Sequence, residues 1–254
     1  MEIRHNRLKR ALAAGQRQIG LWMSMVGPTA AEVIAPAGFD WLVLDTEHAP
    51  NELPDVLAQL RVLEGAHPEA VVRPAWNDMV TIKRLLDAGA QTLLVPFVQN
   101  AAEAADAVRF MRYPPRGVRG VATAPRANRY GRVKDYAARV EDELCLLVQA
   151  ETRAALAEIP AIAAVDGVDG IFVGPSDLAA DMGHLGNPAN PEVQAALKAA
   201  AEACAKAGKP AGILAPVEAD ARRYIEWGYR FVAVGSDLGL LRGAADGLAA
   251  RFAS

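Results

Sequence analysis

What most restricts the fold of this chain is an alternation that recurs eight times: a short run rich in Val, Ile and Leu, then an Ala- and Leu-rich stretch of helical period. The runs Gln18 to Met25, Trp41 to Thr46, Ala70 to Pro74, Thr92 to Val98, Leu144 to Glu151, Gly170 to Gly174, Pro210 to Ala215 and Phe231 to Gly235 read as strands. Thr29 to Ala37, Leu53 to Leu63, Met79 to Ala88, Ala101 to Arg112, Thr152 to Val165, Pro191 to Ala207, Glu218 to Glu226 and Leu238 to Phe252 read as helices. Pro28-Thr29, Asn77-Asp78 and Thr152 supply N-terminal signals, and Gly38, Gly89, Gly208 and Gly228 stop helices just ahead of strands. Strands apolar on both faces suit a sheet covered by helices outside and by packed side chains inside. Eight βα units in 254 residues predict an α/β fold, a TIM (β/α)8 barrel forming one domain over 1–254, with a helix ahead of the first strand. An open doubly wound sheet is the competing arrangement, but it has two edges to bury.

Composition narrows the partner. With 52% apolar residues the chain has enough material for a large core, which excludes disorder. Twenty-seven basic against thirty acidic side chains give a net charge of −3, no electrostatic reason to expect nucleic acid or an anionic membrane. No run approaches the ~18 apolar residues of a membrane span. A small molecule is the expected partner. Cysteine is sparse, with Cys145 in an apolar run and Cys204 in an Ala-rich helical segment, so neither a disulfide framework nor a CxxC metal site is available, which suits a reducing cytoplasm. Residues 1–15 intersperse Arg4, Arg7, Lys9 and Arg10 with Ile3, Leu8 and Leu12, the pattern of an amphipathic first helix or of an organellar transit peptide.

In such a barrel the reactive groups sit where strands end. Strand two ends Asp45-Thr46-Glu47-His48, strand three Arg73-Pro74, strand five Gln149-Ala150-Glu151 and strand six Gly174-Pro175-Ser176-Asp177. Glu151 and Asp177 come from neighbouring strands, so their carboxylates repel unless a proton or cation lies between them. A hard divalent ion with oxygen ligands, Mg²⁺ or Mn²⁺ rather than zinc, would resolve this. The alternative makes Asp177 a cap and Glu151 a first-turn acid. Arg73, between two valines and a proline, is placed to stabilise an oxyanion or to pair with a barrel acid. His48 offers an imidazole for proton transfer, with Asp45 three positions earlier to hold it, or is a packed loop residue. The six lysines (9, 83, 134, 198, 206 and 209) all miss the catalytic strand ends, so Schiff-base chemistry lacks its nucleophile. GxGxxG, Walker A, HExxH and GxSxG motifs are absent, which argues against nicotinamide enzymes, P-loop NTPases, zincins and α/β-hydrolases.

Taken together, Gly20-Leu21-Trp22, Phe39 to Asn51 with its Asp45-Thr46-Glu47-His48 core, Val71-Val72-Arg73-Pro74, Leu85 to Pro96, Gln149-Ala150-Glu151-Thr152 and Gly174-Pro175-Ser176-Asp177-Leu178 resemble the HpcH/HpaI family of class II pyruvate aldolases, over nearly the whole chain. The resemblance implies a phosphoenolpyruvate/pyruvate-type barrel that cleaves 4-hydroxy-2-oxo acids to pyruvate and an aldehyde through a metal-stabilised enolate. It implies a divalent metal (Mg²⁺, Mn²⁺ or Co²⁺) on Glu151 and Asp177, pyruvate held also by Gln149, Gly174 and Ser176, Arg73 on the enolate oxygen and His48 in proton transfer. Trp22 joins the substrate site. Leu214 and Val121 are candidates for the acceptor wall. The usual assembly is a cytoplasmic homo-oligomer, a hexamer, in which Asp87 reaches His48 of a neighbouring subunit. That role would explain an acid at a helix C-terminus, where the dipole disfavours it, although a plain surface Asp has the same sequence. Thr46, Ser176 and Ala150 depart from the family's usual Gly, Ala and bulkier aliphatic, and none removes a charged group.

The long stretch from Tyr113 to about Asp135 carries Arg116, Arg119, Arg126, Arg129 and Arg132. Loops of that length tend to be functional. It reads either as a salt-bridged or subunit-facing loop or as a rim that attracts a carboxylate-bearing substrate. Two other function classes share the barrel: a citrate-lyase-like lyase acting on an acyl-CoA, and a keto-acid-binding barrel without turnover. The latter has no need of His48 and Arg73 together with the carboxylates.

Overall fold

The computed structural model describes residues 1–253. The elements follow in the order α1 (Arg7–Ala13), β1 (Gln18–Met23), α2 (Pro28–Ile34), β2 (Trp41–Asp45), α3 (Leu53–Val62), β3 (Glu69–Arg73), α4 (Met79–Ala88), β4 (Thr92–Val95), α5 (Ala101–Met111), α6 (Tyr136–Arg139), β5 (Cys145–Ala150), α7 (Arg153–Ala157), α8 (Ile159–Ala163), β6 (Gly170–Val173), α9 (Pro175–Asp181), α10 (Pro191–Lys206), β7 (Ala211–Leu214), α11 (Glu218–Glu226), β8 (Tyr229–Ser236) and α12 (Asp237–Ala250). The eight strands are parallel and close in chain order, β8 pairing with β1. This is the expected barrel.

The lumen is filled by alternate residues of the strands. Trp22, Trp41, Val43, Val71, Leu94, Cys145, Leu147, Phe172, Phe231 and Ala233 form one buried cluster, while the outward residues join a second, larger core beneath the helices. Gly20 makes room for Trp41, because a Cβ there would fall inside the indole ring. The register β2 to β3 sets Trp41 beside Glu69 at one end and Asp45 beside Arg73 at the other. Charged side chains therefore meet at both ends of an apolar plug. Leu8 and Leu12 of α1 belong to the lumen cluster, and the buried Asn6 donates to Thr92 Oγ1 at 2.8 Å. The N-terminal segment is thus the floor of the barrel.

Three local expectations are corrected. The helix expected from Thr152 to Val165 is two short ones, since Pro160 starts a new first turn in α8. A helix not expected, α9, begins directly after β6 and puts Asp177 in its first turn. The arginine-rich stretch lies between α5 and β5, on the floor side. Arg126 donates to the Ala88 carbonyl at the end of α4 and pairs with Glu64, as does Arg129, and Arg116 pairs with Glu141 and Asp166. It is not a rim around its own mouth, and the exposed Val121 on it lines no wall there.

The last helix is unlike the others. Only Asp237 of α12 is buried, where its carboxylate accepts from the Ser24 and Met25 amides. Leu238, Leu240, Leu241 and Leu248 are each about half exposed. The outer face of β1 and β8 beside α11 meanwhile remains an open groove lined by Ile19, Val234, Ala221 and Ile225. Among the described residues no helix is long and apolar enough to cross a membrane.

Candidate active site

The inward phase of β2, β3 and β5 carries Asp45, Arg73 and Gln149 to the mouth, all three buried. Asp45 and Arg73 form a two-pronged pair, Nε to Oδ1 at 2.9 Å and Nη2 to Oδ2 at 2.6 Å. Trp22 Nε1 adds a third bond to Asp45 Oδ2 at 3.1 Å, and the Glu47 amide a fourth to Oδ1. Burial pushes the Asp45 carboxyl up, but Arg73 and these donors outweigh it and hold it below the usual carboxylate range. The Arg73 guanidinium also lies 4.8 Å from the Trp22 ring centroid. Its Nη1 sits 2.7 Å from Glu47 Oε2, an ion-pair contact whose angle falls outside a hydrogen bond, and 3.5 Å from Gln149 Oε1. Arg73 is therefore locked across the lumen with one edge facing Gln149 and Glu47.

Gln149 passes the network on, its Nε2 donating to Glu151 Oε2 at 3.2 Å. Glu151 is 3% exposed, and its other oxygen accepts from the Phe97 amide at 2.9 Å. Gly174 gives the carboxylate its place, since a Cβ at that position would overlap Oε2. Burial first, then the nearby charges of Asp177 and Glu47, pushes the Glu151 carboxyl up to about 7. Asp177 and Ser176 are exposed in the first turn of α9, and Leu214 packs half-buried against the lumen cluster. Burial raises Glu47 as well, against the pull of Arg73. Asp45, Glu47 and Glu151 thus face one clamped cation. Among the described residues no group of three or more His, Cys, Asp or Glu side chains forms a ready metal cage. The oxygen pair Glu151 and Asp177 fits a hard divalent ion that keeps other positions for water or substrate, and the raised Glu151 carboxyl marks where positive charge is wanted.

Two expected residues lie outside this cluster. The His48 side chain is 68% exposed, and its nearest acid is Glu47 at 3.9 Å. Asp45 accepts from the His48 backbone amide at 3.3 Å rather than from the ring, so it does not polarise the imidazole. Asp87 stands at the C-terminal turn of α4, on the floor side, paired with Arg119 at 2.7 Å. Within one chain it does not reach His48.

Sequence reasoning missed two contributors. Glu47 was legible, because it continues the inward phase of Trp41, Val43 and Asp45. Phe97 was not. Its φ of 53° places a bulky residue in the left-handed region, and its ring stacks on Trp76 at 5.8 Å in an exposed pair on the rim.

Residues 18–244 match the family described as HpcH/HpaI aldolase/citrate lyase. A 4-hydroxy-2-oxo-heptane-1,7-dioate aldolase of Klebsiella pneumoniae is 57% identical over 98% of this chain and 94% of its own. A pyruvate aldolase of Rhizobium etli is 55% identical over the full length of both. The crystal structure of an HpcH/HpaI aldolase/citrate lyase family protein from Burkholderia cenocepacia superposes with a TM-score of 0.93 at 42% identity, covering 98% of this chain and all of that one. With its closed barrel and carboxylate-lined mouth, this chain belongs to the HpcH/HpaI aldolase/citrate lyase family.

Proposed function

We propose that this protein is a class II pyruvate aldolase that reversibly cleaves 4-hydroxy-2-oxo acids to pyruvate and an aldehyde. The observation that carries the reading is the buried Arg73, fixed by Asp45 and turned toward Gln149, Glu47 and a Glu151 carboxyl raised to about 7. Glu151 and Asp177 would hold Mg²⁺, Mn²⁺ or Co²⁺, which when bound supplies positive charge to the keto acid. Gln149 and the backbone at Gly174 and Ser176 orient pyruvate beside it. Arg73 stabilises the oxyanion as the enolate forms, and its fixed fork needs no rearrangement at that moment. Trp22 shields that charge from water, and Leu214 contacts the aldehyde portion. His48, exposed at the mouth, moves the proton of the 4-hydroxyl.

The reading includes a cytoplasmic hexamer. Leu238, Leu241, Ala245 and Leu248 fall on one face of α12 at heptad spacing, and the groove over β1 and β8 is where an eighth helix packs in a closed barrel. A second copy's α12 satisfies both surfaces, and association brings a floor-side Asp87 toward another mouth, where it supports His48. Light scattering should then give six chains, and a monomer at working concentration removes the assembly from the proposal.

The test of the reaction needs no aldehyde. Exchange of pyruvate methyl protons with deuterated water, followed by NMR, should be fast with Mg²⁺ or Mn²⁺ and stop with a chelator. No catalysed exchange in either condition would mean a binding barrel.

A further inference from the structure

Five of the six arginines in the segment between α5 and α6 are at least partly exposed, but Arg119 is wholly buried. Its backbone is tied to the last turn of α5, with the Val118 amide donating to the Arg109 carbonyl and the Arg119 amide to the Arg112 carbonyl, both at 2.9 Å. The side chain runs beneath α4. Its guanidinium lies 4.5 Å from the Tyr113 ring centroid, and its Nη2 donates to Asp87 Oδ1 at 2.7 Å. Nε and Nη1 are buried without a hydrogen-bond partner, for the Tyr136 phenol lies against the guanidinium without closing an aligned bond. Burial pushes both phenols up, so they are neutral near pH 7 and Asp87 is the anion this guanidinium meets.

A buried arginine with one carboxylate partner and two idle nitrogens is a poor stability device, and apolar replacements of such pairs are often neutral or better. What it does secure is the geometry of an acid that the α4 dipole would otherwise push away from the helix end. Oδ1 is taken, whereas Oδ2 accepts no hydrogen bond among the described residues and the side chain keeps 24% exposure. We infer that Arg119 is a positioning residue for catalysis: it fixes the Asp87 carboxylate with one oxygen presented outward, for the imidazole of a second copy. This rests on the proposed pairing of Asp87 with His48 of another subunit.

The test is a double-mutant cycle on the assembled enzyme with Mg²⁺, reading kcat and KM for 4-hydroxy-2-oxo acid cleavage alongside light scattering. Arg119→Met should lower kcat about 10-fold to 100-fold, the range for losing a group that orients a ligand or base, with KM within about twofold. Arg119→Lys should recover part of the rate, since it keeps charge but not the planar fork. On an Asp87→Asn background neither substitution should reduce the rate further. A folded, assembled Arg119→Met enzyme with unchanged kcat overturns the inference, as does an equal loss with and without Asp87. If Arg119→Met fails to assemble, the Arg119→Lys arm of the cycle decides by the same criterion. An Asp87→Asn enzyme of undiminished rate instead brings down the His48 pairing itself, and this inference with it.

Discussion

The two ends of the barrel are both charged, and they handle charge in opposite ways. On the floor the acids meet basic side chains supplied by the N-terminal segment. Glu69 faces Arg4 and Arg7 at 3.0 Å, Glu143 faces His5 and Arg10, and Asp169, which burial pushes up, faces Lys9 at 3.7 Å. At the mouth Asp45, Glu47 and Glu151 share Arg73, and Asp45 takes both prongs of it. Burial also raises Glu143, but the Asn6 amide, His5 and Arg10 more than reverse this and hold it below the usual carboxylate range. For Glu151 the Phe97 amide and Arg73 do not reverse the rise. The floor is electrically complete and belongs to the fold, whereas the mouth is left incomplete in the sense a metal and an anionic substrate would complete.

The sharpest way to break this contrast is Glu151→Gln. It should slow pyruvate proton exchange by more than about 10³-fold, since polarisation by a metal is worth several kcal/mol, while leaving the fold intact. A variant that exchanges at the parent rate would show that the excess acid at the mouth has nothing to do with chemistry. Arg73→Ala comes next, with a loss of about 10² to 10³ in kcat, the range for one oxyanion donor. It should retain metal affinity measured by calorimetry, and loss of metal together with rate would reassign Arg73 from oxyanion stabiliser to scaffold.

The sequence was most legible where one period governs. Every strand and the end at which Asp45, Arg73, Gln149 and Glu151 emerge follow from inward alternation along apolar runs. It was least legible where long-range geometry decides. The stretch from Tyr113 to Asp135 holds five arginines, but only the direction of the chain in space shows that they lie at the floor. His48 sits next to Asp45 in sequence, but Asp45 is turned inward to Arg73 and the imidazole outward to solvent. The amide of Phe97 reaches Glu151 through a left-handed backbone that no residue-type preference announces for phenylalanine. The family motifs located the mouth residues that share one strand phase, and they said nothing about Arg119, whose role depends on how a loop folds under α4.

The subtlest separation of the two ends is in how stability follows pH. Glu151 has its carboxyl raised to about 7 in the folded state, so the folded protein binds the proton more tightly than the unfolded chain. Stability of metal-free protein should therefore fall as pH rises from about 5 to 8, by about 3 kcal/mol from this group at most. Saturating Mg²⁺ or Glu151→Gln should flatten that limb in urea titrations, and a flat parent curve would contradict the electrostatics of the mouth. Glu143 works the other way: its carboxyl is held low, so its contribution is complete above the usual carboxylate range and is lost as pH falls through the lowered value. Glu143→Ala strips the acceptor from the Asn6 amide and from Arg10, and should destabilise the barrel by about 1 to 2 kcal/mol at pH 7. Its kcat should stay at the parent value, because the apolar layers of the lumen separate Glu143 from Arg73. A rate loss as large as that of Arg73→Ala would mean that floor and mouth are coupled through those layers, and the division of labour between the two ends would fail.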